Sequence, residues 1–306
     1  MDVLADVLTV TQLGNTVLGC SKMVSPWAME LSPDVYTSVH VMLRGSTWLR
    51  IEDQAPIPVA PGDVLLVRSG VRHALLDQPG RRPRPVAAVL AEMPARVARL
   101  SPEQANIATE ILCAKYRFTH RGAHPLVSRL PALVHLTASN VAGDVQVQLL
   151  LQLLHLEATR RGSGSDLVVP RLVDTLLVFI IRNWLSLQPI GEGTASWFSA
   201  LRDPGIRDAL ALIHDHPGKP WTVASLATGA GKSRAAFARR FTELVGETPL
   251  AYVTRWRMCV AAKALRDSER SISDVARLVG YDSVAAFCTA FKRSHDATPG
   301  QFRRAC

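Results

Sequence analysis

Near the C-terminus, apolar residues recur at the spacing of a short amphipathic helix, which a glycine separates from a second such helix. The first helix can start at Ser271 or Ser273, whose hydroxyls can cap free N–H groups. Its apolar positions are Ile272, Val275, Ala276 and Val279. Gly280 is the predicted turn, because a chain that reverses within a few residues usually needs a position at positive φ, where glycine has no steric cost. Ser283 caps the second helix, which places Phe287 and Phe291 on its core side. This order predicts a helix-turn-helix motif that reads DNA with its second helix.

The same pattern occurs 50 residues earlier, which makes chance a poor explanation. Gly231 is the predicted turn, Ser233 the cap of the second helix, and Phe237 and Phe241 the paired core aromatics. The preceding helix has Thr222 as its cap and an apolar face that comprises Val223, Leu226 and Ala227. The chain therefore carries two predicted helix-turn-helix motifs, here called the first motif (Thr222 to Phe241) and the second motif (Ser271 to Phe291).

A further helix is predicted between the two motifs. Thr248 and Pro249 open it, and it runs from about Leu250 to Arg266 without a glycine or a proline. At 1.5 Å per residue this helix is roughly 25 Å long. The two motifs can therefore lie about one DNA turn apart, ~34 Å, and read adjacent major grooves of one duplex.

Residues 204–304 resemble the C-terminal domain of the AraC/XylS family of bacterial transcription regulators. The resemblance rests on the run DVARLVGYDSVAAFCTAFKRSHDATPGQFR and on the weaker first copy LATGAGKSRAAFARRFTELVGETPLAYVTRWRM. The family usually has glycine near Asp296, where the helix ends in a left-handed turn that aspartate also tolerates. The resemblance implies binding to double-stranded DNA and recruitment or blocking of RNA polymerase, and it leaves open whether transcription is activated or repressed.

Candidate DNA contacts follow from helix position and from the family resemblance. The predicted base contacts are Ala235, Ala238, Arg239, Val284, Ala285, Cys288 and Thr289. Arg239 suits a bidentate contact with guanine, whereas the mostly apolar set on the second motif predicts modest specificity. The predicted phosphate contacts are Ser233, Arg234, Arg240, Ser283, Lys292 and Arg293. For each arginine the alternative is a solvated helix face.

The N-terminal half is predicted to form strands, because short runs rich in Val, Leu and Trp alternate with Gly and Pro turns. The predicted strands are Tyr36 to Leu43, Thr47 to Ile51 and Asp63 to Val67, which indicate a small barrel or sandwich. The segment PGDVLLVRSGVRHAL resembles the second cupin motif, with Gly62, Asp63, Gly70 and His73 at matching positions. Arg68 stands where proline is usual, and the first cupin motif is absent. The resemblance to the regulatory cupin of the same family extends through Cys113 to Leu136.

Two kinds of sensing are compatible with this barrel. An effector pocket for an unidentified small molecule is predicted at Trp27, His40, Trp48 and His73, whose side chains would converge inside a barrel. Metal binding and other cofactors are not predicted, because two histidines are too few for a stable divalent centre. Alternatively Cys20 and Cys113 could form a disulfide in response to oxidants, or they could be two buried apolar cysteines.

Two helices are predicted between the halves, from Asp144 to Arg160 and from Pro170 to Leu187, the second with proline in its first turn. Apolar surface that the barrel leaves uncovered would bury against a second copy of the chain and give a homodimer. The alternative is packing within one chain. Residues from Gln188 to Asp203 are predicted to be a linker.

Composition and charge set the remaining limits. The chain has 306 residues and is 48% hydrophobic, enough for two domains. From Asp203 onward 16 Lys and Arg face 10 Asp and Glu, a net charge of +6 that fits a DNA-facing domain. Residues 1 to 9 lack the basic start of a signal peptide, and no apolar run is long enough for a membrane. Five cysteines without clustered spacing favour a reducing cytoplasm.

These observations predict an α+β multidomain protein rather than an enzyme. Residues 1–140 form a cupin-like β-barrel sensor, residues 141–202 a helical dimerisation and linker segment, and residues 203–306 an all-α domain with two helix-turn-helix motifs. Two other classes of protein remain open. A cupin enzyme fused to DNA-binding helices would need a metal, and a DNA-repair protein would need a reactive methyl-accepting cysteine.

Overall fold

The computed structural model describes residues 2–100, 108–118, 130–160, 162–187 and 197–305. These residues divide into two compact units, and the description below treats each by itself. The barrel unit comprises the described residues within 13–117 and 130–188. The helical unit comprises the described residues within 1–12, 118–129 and 189–306.

Two five-stranded sheets form the described part of the barrel unit. Their strands are β1 (Gln12–Met23), β2 (Ala28–Leu31), β3 (Tyr36–Arg44), β4 (Thr47–Ile51), β5 (Ile57–Val59), β6 (Val64–Val67), β7 (His73–Leu76), β8 (Arg84–Pro85), β9 (Thr109–Phe118) and β10 (Leu133–Leu136). The first sheet has the order β1-β9-β3-β6-β10 and the second the order β5-β4-β7-β2-β8. The three predicted strands are confirmed to within one residue, and part of the segment from Cys113 to Leu136, residues 119–129, lies outside the described residues.

The core of the barrel unit lies between the two sheets. Alternate side chains point inward on each strand, and the first sheet contributes Met42, Leu65 and Ile111 to this core. The second sheet contributes Leu49 and Leu75, which face each other across the β4–β7 register. Interior space is therefore filled largely by apolar side chains.

Four helices accompany the sheets: α2 (Val86–Val97), α3 (Ala138–Ala142), α4 (Val145–Arg160) and α5 (Ser165–Leu187). The Tyr116 hydroxyl donates to the Val173 carbonyl and joins β9 to α5. The predicted start of α5 at Pro170 is wrong. The helix begins at Ser165, directly after Gly164 at φ +86°, so that Pro170 lies in the second turn.

The helical unit consists of α1 (Val3–Thr11), α6 (Trp197–Ala200), α7 (Pro204–Asp215), α8 (Val223–Gly229), α9 (Arg234–Val245), α10 (Pro249–Asp267), α11 (Ile272–Leu278), α12 (Val284–His295) and α13 (Pro299–Arg304). The compact units thus differ from the predicted division of the chain. Helix α1 packs with the helical unit, and α4 and α5 belong to the barrel unit. Of the predicted linker, residues 188–196 lie outside the described part of the chain.

Local signals in the sequence set the ends of the helices in the two motifs. The side chains of Thr222, Ser233, Ser271 and Ser283 all accept hydrogen bonds from backbone N–H groups at the helix starts. The predicted caps are therefore confirmed. Asp296 ends α12 in the left-handed conformation at φ +54°, as its position predicts. In the described part of the chain, every helix is too short or too polar to cross a bilayer.

Candidate nucleic-acid interface and sensor site

The second helix of the first motif, α9, separates a core face from an exposed face. Phe237 and Phe241 are fully buried, with ring centroids 5.5 Å apart. Of the predicted base contacts, Ala235 and Arg239 are exposed and Ala238 is half-buried. The Arg239 guanidinium has no ion-pair partner among the described residues, so it is available to a ligand. Its small neighbours Ala235 and Ala238 let the helix backbone approach a groove closely.

The corresponding helix of the second motif, α12, repeats this arrangement. Phe287 and Phe291 are buried with ring centroids 5.7 Å apart. Of the predicted base contacts, Val284, Ala285 and Thr289 are exposed, whereas Cys288 is half-buried and packs on the core. The exposed face is therefore mostly apolar and suits van der Waals contact with thymine methyl groups.

The predicted phosphate contacts differ in how far their polar groups are already engaged within the protein. Ser233 and Ser283 use their hydroxyls as helix caps, and Arg234 and Lys292 are exposed. Arg240 differs, because its guanidinium is held by Asp203 at 3.0 Å and Glu243 at 3.1 Å. These contacts use Nε and Nη1, so the remaining N–H groups of Arg240 are the ones that can reach a phosphate without breaking an ion pair.

Arg293, the remaining predicted phosphate contact, lies beside an open groove between α10 and α12. With Glu247 and Arg255 it forms the charged part of the groove wall. Arg255 is engaged with Glu247 at 2.8 Å. Arg293 is exposed and free of ion pairs within the described residues, so it is the cation of this groove that can contact DNA.

One contact that the sequence analysis missed joins the two motifs. Arg257 on α10 donates to the carbonyls of Pro217 at 2.7 Å and Lys219 at 2.9 Å, in the loop that precedes the first motif. The same guanidinium lies 5.8 Å from the Tyr281 ring centre, just after the turn of the second motif. Gly280 in that turn lies against the backbone of Gly218. The spacing between the motifs is therefore fixed by direct contact as well as by the length of α10.

In the barrel unit, the two predicted histidines meet in the core. His40 on β3 and His73 at the start of β7 are both buried, and their Nε2 atoms lie 2.9 Å apart. The His40 Nδ1 atom lies 3.1 Å from Cys113 Sγ on the neighbouring strand β9. Desolvation by burial holds the pKa of His40 well below its usual value and lowers that of His73 to about 4. Both imidazoles are therefore neutral at pH 7.

The hydrogens on His73, His40 and Cys113 can be assigned by starting from the Val71 carbonyl, which accepts a hydrogen bond at one end of this chain of groups. A carbonyl oxygen only accepts, so His73 Nδ1 carries the hydrogen that points at the Val71 carbonyl, 3.3 Å away. His73 Nε2 must then accept from His40 Nε2, which leaves His40 Nδ1 to accept from the Cys113 thiol. Each ring nitrogen has a partner, so a ligand would have to interrupt this chain in order to bind to it.

The two tryptophans of the predicted pocket lie on different sides of the second sheet. Trp27 is buried in the core between the sheets. Trp48 pairs with Leu76 on the opposite face and packs there with Ala28 and Ala74. The structure therefore brings Trp27, His40 and His73 into the barrel interior and leaves Trp48 outside it. The alternation of Thr47, Leu49 and Ile51 as buried residues already indicates that Trp48 faces the other way.

The predicted redox cysteines lie on neighbouring strands of the first sheet, Cys20 on β1 and Cys113 on β9. Burial raises the pKa of Cys113 to about 12 and that of Cys20 to about 11. Both are therefore thiols rather than thiolates at neutral pH. Within the described residues no three His, Cys, Asp or Glu side chains are arranged to hold a metal ion. His40 presents different ring nitrogens to Cys113 and His73, so the three do not converge on one point.

Comparison with known proteins gives two domain matches and several full-length relatives. A family profile described as cupin matches residues 2–186, and one described as helix-turn-helix domain matches residues 226–305. A putative AraC-like transcription regulator of Streptomyces lividans is 31% identical over 99% of this chain and 98% of its own. The chain belongs to the AraC-like family of transcription regulators.

Further relatives of this AraC-like regulator have the same full-length match. A putative AraC-like transcription regulator of Streptomyces antibioticus is 30% identical over 99% of both chains. The regulator AlkR of Acinetobacter baylyi is 28% identical over 99% of both chains. These relatives are transcription regulators rather than enzymes, so the alternatives of a cupin enzyme and a repair protein are set aside. The predicted order, an N-terminal cupin followed by a helical DNA-binding domain, is confirmed.

Proposed function

We propose that this AraC-like regulator binds a DNA site of two boxes about one helical turn apart, one box for each helix-turn-helix motif. The observation that carries the proposal is the match between α9 and α12. Each helix buries a pair of phenylalanines and exposes small side chains near its N-terminal end. The contacts of Arg257 and Gly280 fix the spacing between them. Two rigidly spaced recognition helices fit two successive major grooves on one face of the duplex.

The role of Arg239 tests this proposal most directly. After a bound site has been selected from random DNA, Arg239→Ala should lose roughly 1–3 kcal/mol of binding free energy and relax specificity at one guanine. Arg234→Ala is the matched control, because a lost phosphate contact weakens binding to all sequences alike and reduces the salt dependence. Equal effects of the two variants on every sequence would contradict base reading by Arg239.

We further propose that a small molecule controls DNA binding from the barrel interior, at His40 and His73. The supporting observation is a neutral chain of hydrogen-bonding groups enclosed by apolar side chains, since an effector with one donor and one acceptor could replace a link of that chain. Control by oxidation of Cys20 and Cys113 remains the second candidate, favoured by their places on adjacent strands. Their raised pKa values argue against it, because the thiolate is the reactive form.

Two treatments separate the candidates. Under the small-molecule proposal, His73→Gln changes the response to cell extract fractions that alter DNA binding, whereas Cys113→Ser, which keeps a donor for His40 Nδ1, leaves it intact. Under the oxidation candidate, hypochlorous acid or hydrogen peroxide changes DNA binding of the wild type and has no effect on Cys113→Ser. Both assays use the full chain and the same selected DNA.

The dimer is also a proposal, and the surface of α4 supports it. Val145, Leu149, Leu153 and Leu156 recur at helical spacing and are between 42% and 64% exposed. Such a row of apolar residues is costly in water and self-complementary about a two-fold axis. A dimer would place two pairs of recognition helices on DNA. Recruitment or blocking of RNA polymerase in the cytoplasm is proposed from membership of the family.

A further inference from the structure

The first helix of the chain is built into the helical unit. Helix α1 buries Val3, Leu4, Val7, Leu8 and Thr11, and Val7 is fully inaccessible to solvent. It packs against α7 and α10, which belong to the DNA-binding part of the chain. Asp2 caps it, because its carboxylate accepts from the backbone N–H groups of Leu4 and Ala5, both at 3.1 Å. A capped helix with a buried apolar face is a component of the core it covers.

A polar contact adds to this packing. The Asp6 carboxylate lies 3.5 Å from Nδ1 of His214, which is at the end of α7 and fully buried at its side chain. The imidazole stacks on the Trp256 ring of α10 with centroids 3.7 Å apart. Its Nε2 atom lies 2.8 Å from the Tyr252 hydroxyl, also on α10. One histidine therefore contacts α1 on one side and α10 on the other.

The two helices that α1 covers determine how the motifs are held. Helix α7 leads into the first motif, and its neighbour Asp203 holds Arg240 of α9. Helix α10 carries Arg257, which joins the first motif to the second. Movement of α1 would therefore shift α7 and α10, the two helices whose contacts set the spacing of the recognition helices.

The other end of α1 continues directly into the sensor. Thr11 is followed by Gln12, the first residue of β1, and β1 is the end strand of the first sheet in the barrel unit. Its neighbour in that sheet is β9, which carries Cys113 beside His40. The cupin profile begins at residue 2 and so includes α1, although α1 packs with the helical unit.

We propose that α1, the helix that directly precedes the first strand of the sensor, docks on the helical unit. There it completes the core and is required for tight DNA binding. A signal that shifts β1 then reaches the recognition helices through α1, α7 and α10. This inference rests on the proposed two-box DNA binding, since DNA affinity is its main readout.

Two substitutions that add the same charge to the same helix test the proposal in the full chain. Val7→Glu places a carboxylate in the buried face of α1, whereas Thr9→Glu places one on its exposed face. Val7→Glu should lower affinity for the selected DNA at least tenfold and speed hydrogen exchange at the amides of α7 and α10. Thr9→Glu should leave both within about twofold of the wild type, because an exposed substitution changes little.

A milder variant covers the case in which Val7→Glu does not fold. Val7→Ala keeps the site apolar and should give a smaller loss of affinity, with faster exchange confined to α1, α7 and α10. Wild-type affinity for Val7→Ala or a folded Val7→Glu would overturn the proposal. If the wild type itself fails to bind two-box DNA, the proposed function is wrong, whereas the exchange data still show whether α1 docks.

Discussion

Replacement of Gly280 by alanine should destabilise the second motif more than the same change at Gly231 destabilises the first. Both glycines form the turn between the two helices of a motif, and both have positive φ, +77° for Gly280 and +63° for Gly231. Their surroundings differ. A Cβ at Gly280 would lie 2.4 Å from the Gly218 carbonyl oxygen and 2.9 Å from the Arg257 guanidinium, whereas a Cβ at Gly231 would meet nothing within 4 Å.

The magnitudes follow from these distances. An alanine in the left-handed region costs about 1–2 kcal/mol at either site. Replacing a glycine also lowers the conformational entropy of the unfolded chain, which stabilises the folded state by about 0.4–1 kcal/mol at both sites. Only Gly280→Ala adds a steric overlap, with a backbone atom that cannot rotate away, and overpacking of this kind costs about 1–3 kcal/mol. We therefore expect Gly280→Ala to exceed Gly231→Ala by roughly 1–3 kcal/mol.

Native-state hydrogen exchange measures this difference motif by motif, because it reports the free energy of opening for individual helices. The amides of α12 report on Gly280→Ala and those of α9 on Gly231→Ala. The contact with Gly218 also fixes the spacing of the motifs, so Gly280→Ala should reduce the preference for the native spacing over DNA with the boxes moved by one base pair. Equal losses of stability at the two sites, with an unchanged spacing preference, would show that the contact between Gly280 and Gly218 does not limit the size of residue 280.

Three further outcomes follow. Between pH 7 and 4.5 His73 should contribute a loss of roughly 2–3 kcal/mol of barrel stability, because burial lowers its pKa to about 4 and the unfolded chain takes up a proton below about pH 6.5 that the folded chain does not. His40, whose pKa burial also holds well below its usual value, adds to the loss. Urea unfolding checks this, and an undiminished pH dependence in His73→Gln would speak against it. The double change Leu149→Glu and Leu153→Glu should give a monomer by analytical ultracentrifugation, and Gln54→Glu, an exposed site in the turn after β4, should remain a dimer; one mass for all proteins would exclude the α4 interface. A maleimide should modify half-buried Cys288 well before buried Cys113, as followed by mass spectrometry, and the reverse order would show that the barrel opens.

Features of the fold that depend only on neighbouring residues can be predicted from the sequence. The caps Ser233 and Ser283, the turn at Gly280 and the left-handed Asp296 all act within a few residues, so their spacing along the chain is sufficient to identify them. The paired phenylalanines identify the core face of each recognition helix for the same reason. Family resemblance then supplied the cupin, whose single motif around His73 is a weaker signal.

Predictions from local sequence patterns were wrong or incomplete where tertiary packing determines the position of a residue. Pro170 fits a helix start by rule, yet the helix begins at Ser165 and accommodates the proline in its second turn. The prediction that Trp48 converges with the histidines inside the barrel is wrong, because strand alternation puts it on the opposite face from Leu49. The predicted phosphate contact of Arg240 stays a prediction, but no local rule indicates that Asp203, 37 residues away, holds its guanidinium.

Two helix-turn-helix motifs, their caps and turns, and a cupin-like barrel could be predicted from the sequence, because helix and turn preferences are properties of short segments. The folded structure is needed to see that α1 belongs to the helical unit, that Arg257 links the two motifs, and that Cys113, His40 and His73 form one hydrogen-bonded chain. Each of these contacts joins residues far apart in sequence. Their energy depends on distance in space and on exclusion of water, and no spacing along the chain records either quantity.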